Sequence, residues 1–138
     1  MRIMVVEDQD SIRKLIEALV SGRGHEVVAV GNGAKALELA NSNPPDIVLL
    51  DLNLPGRYDG FEVCRRIRSD PRTRDALVFI ISARDDAASR QEAREAGAQG
   101  YYGKPFSPTA LLKDIDAARR PRPEGSSPQG PAGPGAQS

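Results

Sequence analysis

The sequence predicts an α/β fold in which a doubly wound parallel sheet of five strands carries helices on both faces. Apolar runs of four or five residues alternate with segments whose apolar residues recur at helical spacing. The run at 77–81 is apolar at every position, which is typical of a central parallel strand buried on both faces. Polar residues follow these apolar runs directly, as expected where strands end at a ligand-binding edge.

Each predicted element has its own local signature. The strands are short apolar runs, at 3–6, 26–30, 47–50, 77–81 and 100–103. The helices fill the intervals between and after them, at 10–22, 32–40, 60–69, 85–96 and 107–118. The first helix has one apolar face, an N-cap at Asp10 or Ser11 and a stop at Gly22 or Gly24. The second helix is weaker, because its inner face is mainly alanine.

The later elements differ in the apolar surface that they offer. The third helix turns Cys64 inward, and the fifth follows Ser107 as N-cap, with proline at its first position. The fourth is predicted to pack lightly, because little apolar area is available. Its inner face consists of four alanines, Ala87, Ala88, Ala93 and Ala96. Tyr101 and Tyr102 alternate along the fifth strand, so one is expected to be buried and the other exposed.

Five polar side chains lie just past the strand ends: Glu7, Asp8, Asp51, Ser82 and Lys104. The carboxyl ends of parallel strands meet at one edge of a sheet, so these groups are expected to share one crevice. Two carboxylates about 5.5 Å apart repel by about 3 kcal/mol at an effective dielectric near 20. One lysine cannot neutralise three of them, whereas Mg²⁺ binds carboxylates together with waters and a phosphate. The cluster therefore predicts a Mg²⁺ and phosphoryl site, with three solvated loop acids as the plainer alternative.

The composition argues against several classes of function. The 19 basic and 19 acidic residues balance, so no bulk attraction to DNA or to an anionic membrane is expected. Cys64 is the only cysteine, which leaves no internal disulfide, and its spacing predicts an inert core thiol. No apolar run approaches the roughly 20 residues of a membrane span, so a cytoplasmic protein is expected. His25 is predicted to be a surface residue without a chemical role.

One domain is expected at residues 1–120. From Pro121 onward half of the residues are proline or glycine, and no large apolar side chain occurs. Such a segment cannot bury a core, so residues 121–138 are predicted to be a disordered tail or linker. The segment also contains no basic reading helix, so direct nucleic-acid binding is not expected.

Five short motifs, taken together and in order, carry a family resemblance. They are VVEDQ at 5–9, LLDLNLPG at 49–56, DGFEVCRRIR at 59–68, ISA at 81–83 and YYGKPF at 101–106. Residues 1–118 thereby resemble the receiver domain of a bacterial two-component response regulator, of the chemotaxis-regulator type. The resemblance implies a flavodoxin-like fold with strand order 2-1-3-4-5 and a ligand crevice between the first and third strands.

The resemblance also implies roles for the acidic residues. Asp51 would be the phosphoryl acceptor, a nucleophilic carboxylate that becomes an acyl phosphate. Asp8 would bind Mg²⁺ or Mn²⁺ directly, Glu7 would bind it through water, and Asp51 would also belong to the metal site. Asn53 would complete the protein ligands through its backbone carbonyl.

Phosphoryl-binding and switch residues are implied in the same way. Ser82, Ala83 and Lys104 would bind the phosphoryl group, and Tyr101 would rotate inward as the Ser82 loop moves. These changes would switch a surface formed by the fourth helix, the fifth strand and the fifth helix. The Lys104–Pro105 bond is cis in similar proteins, so a cis proline is expected at Pro105.

The function implied is that of a phospho-accepting receiver in two-component signal transduction. It would take its phosphoryl group from a sensor histidine kinase or a histidine phosphotransfer protein, and act on a downstream protein that the sequence does not identify. It would not be an enzyme beyond Mg²⁺-dependent self-phosphorylation and autodephosphorylation. No membrane partner is implied, and a phosphorylation-dependent dimer stays open.

Three other classes compete with this interpretation. A phosphohydrolase of the haloacid dehalogenase type needs a general acid two residues after its nucleophile, where this chain has Asn53. A flavodoxin needs a hydroxyl-rich phosphate loop after the first strand, where the acids of 7–10 would repel phosphate. A receiver-like interaction adaptor that takes no phosphoryl group stays open. The reason is the loop at 55–60, which borders the site and carries one residue more than the family's usual spacing.

Overall fold

The structure, a computed structural model, describes residues 1–118, so the predicted tail at 121–138 lies outside it. Strands and helices alternate along this part of the chain. The strands are β1 Arg2–Val6, β2 Glu26–Val30, β3 Ile47–Leu50, β4 Leu77–Ser82 and β5 Gly100–Gly103. The helices are α1 Asp10–Ser21, α2 Gly33–Ser42, α3 Gly60–Ser69, α4 Ala87–Glu95 and α5 Pro108–Ala118. Every element lies where the sequence predicts it, with small differences at the ends.

The strands form one parallel sheet in the order β2-β1-β3-β4-β5, which confirms the predicted doubly wound fold. The order reverses between β1 and β3, where such sheets open a crevice beyond the strand ends. Register places Val6 of β1 beside Leu50 of β3. The Asp51 N–H then donates to the carbonyl oxygen of Val6 at 3.0 Å. The residues that follow β1 and β3 therefore leave the sheet side by side.

Alternate strand residues face two separate hydrophobic cores, one on each side of the sheet. Met4 and Val6 of β1 face the core formed with α2, α3 and α4. Ile3 and Val5 face the core formed with α1 and α5. Full burial of one such side chain contributes about 1.5–3 kcal/mol, so both layers of helices are firmly attached to the sheet.

Side-chain caps begin four of the helices in the described part of the chain. The capping residues, each accepting a backbone N–H three residues on, are Asn32, Asp59, Asp86 and Ser107. Helix α1 differs from the prediction. Its N-cap is Gln9, which makes no side-chain cap, and Asp10 is the first helical residue and pairs with Arg13. Among residues 1–118, no helix combines the length and the apolar character that crossing a bilayer requires.

The prediction of a surface position for His25 is wrong, since its side chain is buried. The Glu26 N–H donates to the Met1 carbonyl oxygen at 3.0 Å, which pairs the start of β1 with the start of β2. This pairing brings the amino terminus to 3.3 Å from His25 Nδ1. The burial depends on a contact between distant segments, which local sequence does not reveal.

Two predictions about exposure near α4 and β5 are also wrong. Ala87 and Ala88 are exposed, and Ser89 takes an inward position because Asp86 fixes its hydroxyl and N–H at the helix start. Tyr101 and Tyr102 do lie on opposite faces, but both are half-buried. The reason is that β5 is an edge strand, so helices cover neither face completely.

Candidate functional site

Three carboxylates meet at the carboxyl edge of the sheet. One oxygen from each of Glu7, Asp8 and Asp51 lies within 4.8 Å of the other two. Glu7 is 1% exposed and Asp51 is 5% exposed, whereas Asp8 is exposed to solvent. The cluster therefore combines two buried acids with one that faces water. The sheet order places them there, because β1 and β3 are neighbours.

Lys104 brings a positive charge into the cluster from the end of β5. Its Nζ lies 2.7 Å from Glu7 Oε1 and 3.3 Å from Asp51 Oδ2. The lysine side chain is only 16% exposed, so solvent screens these two ion pairs weakly. One ammonium group does not balance three carboxylates, so the site retains net negative charge.

Burial and pairing shift the pKa values of Glu7 and Lys104. Burial raises the pKa of Glu7, and the hydrogen bond from Lys104 opposes part of that rise. Burial alone would lower the pKa of Lys104, but the bond to Glu7 and the charge of Asp51 outweigh it, and this pKa rises. Lys104 is therefore a cation at neutral pH. Burial disfavours the ionised form of Glu7, and a second cation nearby would offset that penalty.

Backbone N–H groups orient the two buried carboxylates. Asn53 donates its N–H to Asp51 Oδ1 at 3.2 Å, which leaves Asp51 Oδ2 facing Lys104. Gln9 donates its N–H to Glu7 Oε2 at 3.0 Å. Two charge-assisted contacts on each side chain leave little rotational freedom, so these acids are held in place before any ligand arrives.

Helix α3 begins directly against the backbone of Asp51. A Cβ added at Gly60 would lie 2.2 Å from the Asp51 carbonyl oxygen, which no real side chain permits. The Gly60 N–H also donates to the carbonyl oxygen of Leu52 at 3.0 Å. Glycine at this position thus lets α3 approach the loop that follows β3 at 51–54, the Asp51 loop, closely and fix it.

The ends of β4 and β5 bring a hydroxyl group and the lysine to the same edge. The Lys104 N–H donates to the Ser82 carbonyl oxygen at 2.8 Å, and the Lys104–Pro105 peptide bond is cis. Ser82 is fully buried, and its Oγ accepts the N–H of Arg84 at 3.1 Å. Ala83 is exposed, so a small side chain stands at the mouth of this edge.

Tyr101 contacts the loop that follows Ser82. Its hydroxyl donates to the Arg84 carbonyl oxygen at 2.5 Å, and burial raises the pKa of this phenol. The Arg90 guanidinium lies over the Tyr101 ring, 4.6 Å from its centroid, and pairs with Asp85. The tyrosine is therefore joined both to the 83–86 loop and to α4.

The loop at 55–60 is anchored on α2 and α3. Two guanidinium groups lie over the Tyr58 ring, with centroid distances of 5.3 Å for Arg57 and 4.5 Å for Arg66. A Cβ at Gly33, the first residue of α2, would lie 2.8 Å from the Tyr58 carbonyl oxygen. Gly56 adopts a φ of 88°, a backbone conformation that favours glycine, at a bend in this loop.

Sequence reasoning missed two arginines at this edge. Arg90 stacks on Tyr101, and Arg13 donates to the backbone carbonyl oxygens of Glu7 and Asp8. The spacing of Asp10 and Arg13 indicates an ion pair on α1, but it does not show that the guanidinium reaches back to the preceding loop. No local pattern predicts the Arg90 contact, because it joins α4 to β5.

Comparison with known proteins agrees with this geometry. A family model described as "Response regulator receiver domain" matches residues 3–116. Response regulator MprA of Mycobacterium sp. (strain KMS) is 38% identical over 132 residues, which is 95% of this chain and 56% of MprA. Response regulator PleD of Caulobacter vibrioides is 37% identical over 119 residues, 86% of this chain and 26% of PleD. The structure of chemotaxis protein CheY4 of Vibrio cholerae matches with a TM-score of 0.78 at 27% identity, covering 85% of this chain and 97% of CheY4.

The relatives also differ from the chain in length. The chain spans about half of MprA, at 56%, and about a quarter of PleD, at 26%. CheY4, by contrast, is covered almost completely. The family match, the strand order and the shared fold lead to one conclusion. The chain belongs to the response regulator receiver domain family, the phosphoacceptor module of two-component signalling.

Proposed function

We propose that Asp51 accepts the phosphoryl group in this receiver domain, in a reaction that requires Mg²⁺. One observation supports this most strongly. The buried Asp51 carboxylate lies within 4.8 Å of two other carboxylates, and its Oδ2 is 3.3 Å from Lys104 Nζ. Glu7 is held more tightly by Lys104, at 2.7 Å, and Asp8 is exposed. Asp51 thus offers a nucleophilic carboxylate with a compensating positive charge beside it.

The metal that we propose is held by Glu7, Asp8 and Asp51, with the backbone carbonyl of Asn53 as a further ligand. The fit rests on the donor set, because these are the hard oxygen ligands that Mg²⁺ and Mn²⁺ prefer. When bound, the ion offsets the excess negative charge of the cluster and of the phosphoryl oxygens. The burial penalty on Glu7 supports the same assignment, since a cation would relieve it.

The donor that we propose is a phosphohistidine of a sensor histidine kinase or a histidine phosphotransfer protein. An Asp51 carboxylate oxygen forms a bond to phosphorus while the phosphorus–nitrogen bond of the donor breaks. The imidazole leaves with that electron pair and takes a proton from solvent. Hydrolysis of the resulting acyl phosphate by water restores Asp51 and releases phosphate, so turnover is limited to this self-modification.

After transfer, we propose that Lys104, Ser82 and the exposed residue Ala83 bind the phosphoryl oxygens. Lys104 would then exchange its bond to Asp51 for one to phosphate, and the Ser82 loop would move with its hydroxyl. Tyr101 is bonded to that loop through Arg84, so its position would respond. The face formed by α4, β5 and α5 is the surface that we propose meets a downstream protein.

Intact mass spectrometry after incubation with acetyl phosphate and Mg²⁺ tests this function. Wild-type protein should gain one phosphoryl group, EDTA should suppress the gain, and Asp51→Asn should abolish it. Asp75→Asn is the matched control, because Asp75 is exposed and lies outside the acidic cluster. An adduct that persists in Asp51→Asn would contradict the assignment. An unchanged wild-type mass would favour the adaptor that takes no phosphoryl group.

A further inference from the structure

The side chain of Arg13 reaches back from α1 to the loop that carries the acidic residues. Its Nη1 donates to the carbonyl oxygen of Glu7 at 2.9 Å and to that of Asp8 at 3.4 Å. Its Nη2 pairs with the carboxylate of Asp10. The arginine side chain is 22% exposed, so these contacts are partly shielded from water. One guanidinium group thus joins the start of α1 to two successive peptide groups.

Those two peptide groups flank Asp8. The Glu7 carbonyl belongs to the peptide plane before Asp8, and the Asp8 carbonyl belongs to the plane after it. A peptide group is rigid, so holding both carbonyl oxygens restricts the backbone dihedrals of Asp8 and the direction of its Cα–Cβ bond. The contacts of Arg13 therefore act on the orientation of a side chain that Arg13 itself does not touch.

Asp8 depends on such support more than the other two acids do. Glu7 and Asp51 each accept bonds from a backbone N–H and from Lys104. The exposed carboxylate of Asp8 accepts no hydrogen bond from any residue of the described range 1–118. Its direction is therefore set by the backbone alone, at the place where Arg13 holds that backbone.

We propose that Arg13 is a positioning residue that aims the Asp8 carboxylate at the divalent cation. The inference rests on the proposed metal site. Asp10 balances the charge of the guanidinium, which leaves geometry as the main contribution of Arg13. The charge of Arg13 and its support of Asp8 affect the affinity for Mg²⁺ in opposite directions. Removing a cation near an acidic cluster would strengthen Mg²⁺ binding through charge, whereas losing the support of Asp8 weakens it.

Titration of the metal-free chain with MgCl₂ alone, without a phosphoryl donor, tests the inference. Binding is followed through the amide NMR shifts of residues 7–9 and 51–53. Arg13→Gln should raise the dissociation constant for Mg²⁺ roughly tenfold, the usual effect of removing an outer support of a metal ligand. Lys14→Gln is the matched control, since Lys14 is the next residue of α1, carries the same charge and is exposed. Its affinity should stay unchanged or increase slightly.

Arg13→Lys keeps the positive charge but removes the planar, forked guanidinium group, so it separates the effects of geometry and charge. One ammonium group replaces the fork that serves two carbonyl oxygens, so its affinity should lie between those of wild type and Arg13→Gln. Amide exchange at residues 8–10 of the metal-free protein should also accelerate in Arg13→Gln and not in Lys14→Gln. This readout remains available if Mg²⁺ binding is altered for another reason.

Two results would overturn the inference while leaving the proposed function intact. The first is an Arg13→Gln protein that binds Mg²⁺ at least as tightly as Lys14→Gln. The second is wild-type affinity in Arg13→Lys. A wild-type protein that binds no Mg²⁺ would instead overturn the proposed metal site, and the inference with it.

Discussion

The Lys104–Glu7 ion pair is important to the site because both side chains are largely buried. Glu7 is almost completely buried, and the Lys104 ammonium at 2.7 Å is the cation that balances it. Removing one partner of a buried pair leaves the other charge uncompensated, which costs more than the pair contributes. The same ammonium also faces Asp51, so one side chain connects the stability of the site with its chemistry.

We predict that Lys104→Ala separates Mg²⁺ binding from the response to phosphorylation. Mg²⁺ should still bind, because all the oxygen ligands remain, while stability falls by about 1–3 kcal/mol through the unpaired Glu7. Phosphorylated Lys104→Ala should not change amide exchange across residues 85–102, whereas phosphorylated wild type should. Lys113→Ala, at an exposed position of α5, is the control. An unaltered response in Lys104→Ala would refute the coupling through this lysine.

The Cys64 thiol is predicted to make stability pH-dependent in alkaline solution. Burial raises the pKa of Cys64 from its ordinary 9.0 to about 11, because the fold favours the neutral thiol. The stabilisation is therefore complete below pH 9.0 and is lost as pH rises through about 11. Thermal unfolding of wild type and Cys64→Ala should show a difference in Tm that narrows over that range. A Tm difference that stays constant or widens would contradict the raised pKa of Cys64.

Residues whose role depends on local sequence are the ones that could be predicted. Cys64 lies at helical spacing and is buried as expected, and the four apolar runs end in polar residues that do meet at one edge. His25 contacts the distant amino terminus, and Arg13 reaches back across a turn to the 7–9 loop, so neither contact could be predicted. A side chain that reaches across a turn leaves no periodic signal.

At the scale of elements, the start of α3 determines how firmly the Asp51 loop is held. Capping by Asp59 and the close approach at Gly60 bring the first turn of α3 against Asp51. The capped starts of α2 and α4 follow the same local rule, and sequence patterns predict such helices well. Partial cover of β5 follows from its place at the edge of the sheet, which its local sequence does not show and only the strand order gives.

Gly60→Ala is predicted to destabilise the fold and slow phosphorylation together. The new methyl group would meet the Asp51 carbonyl oxygen at 2.2 Å, so α3 or the Asp51 loop must shift. Overpacking of this kind costs about 1–3 kcal/mol. The midpoint of urea unfolding and the rate of adduct formation with acetyl phosphate should both fall.

Gly22→Ala provides the matched control for this substitution. Gly22 ends α1 with a φ of −64°, and its added Cβ would meet only ordinary contacts at 3.5 Å. The change should be neutral or stabilise by about 0.4–1 kcal/mol. If Gly60→Ala were as well tolerated as Gly22→Ala, the close approach of α3 would not hold the Asp51 loop.

At the scale of the whole molecule, strand order is what assembles the site. Residues 7, 51 and 104 are far apart in sequence, and the order β2-β1-β3-β4-β5 brings them to one edge. Alternation of strands and helices predicts a parallel sheet from physical pattern alone. The strand order came from the family resemblance, because periodicity does not determine which strands are neighbours. Hydrogen-bond partners within the site required the structure.

The site of covalent modification tests the central claim most directly. Protein incubated with acetyl phosphate and Mg²⁺ is treated with borohydride, which reduces an acyl phosphate to an alcohol and leaves free carboxylates unchanged. Peptide mass spectrometry then locates the reduced side chain. We predict reduction at Asp51 alone, dependent on Mg²⁺. Reduction at another carboxylate, such as Asp8 or Asp59, would contradict the account.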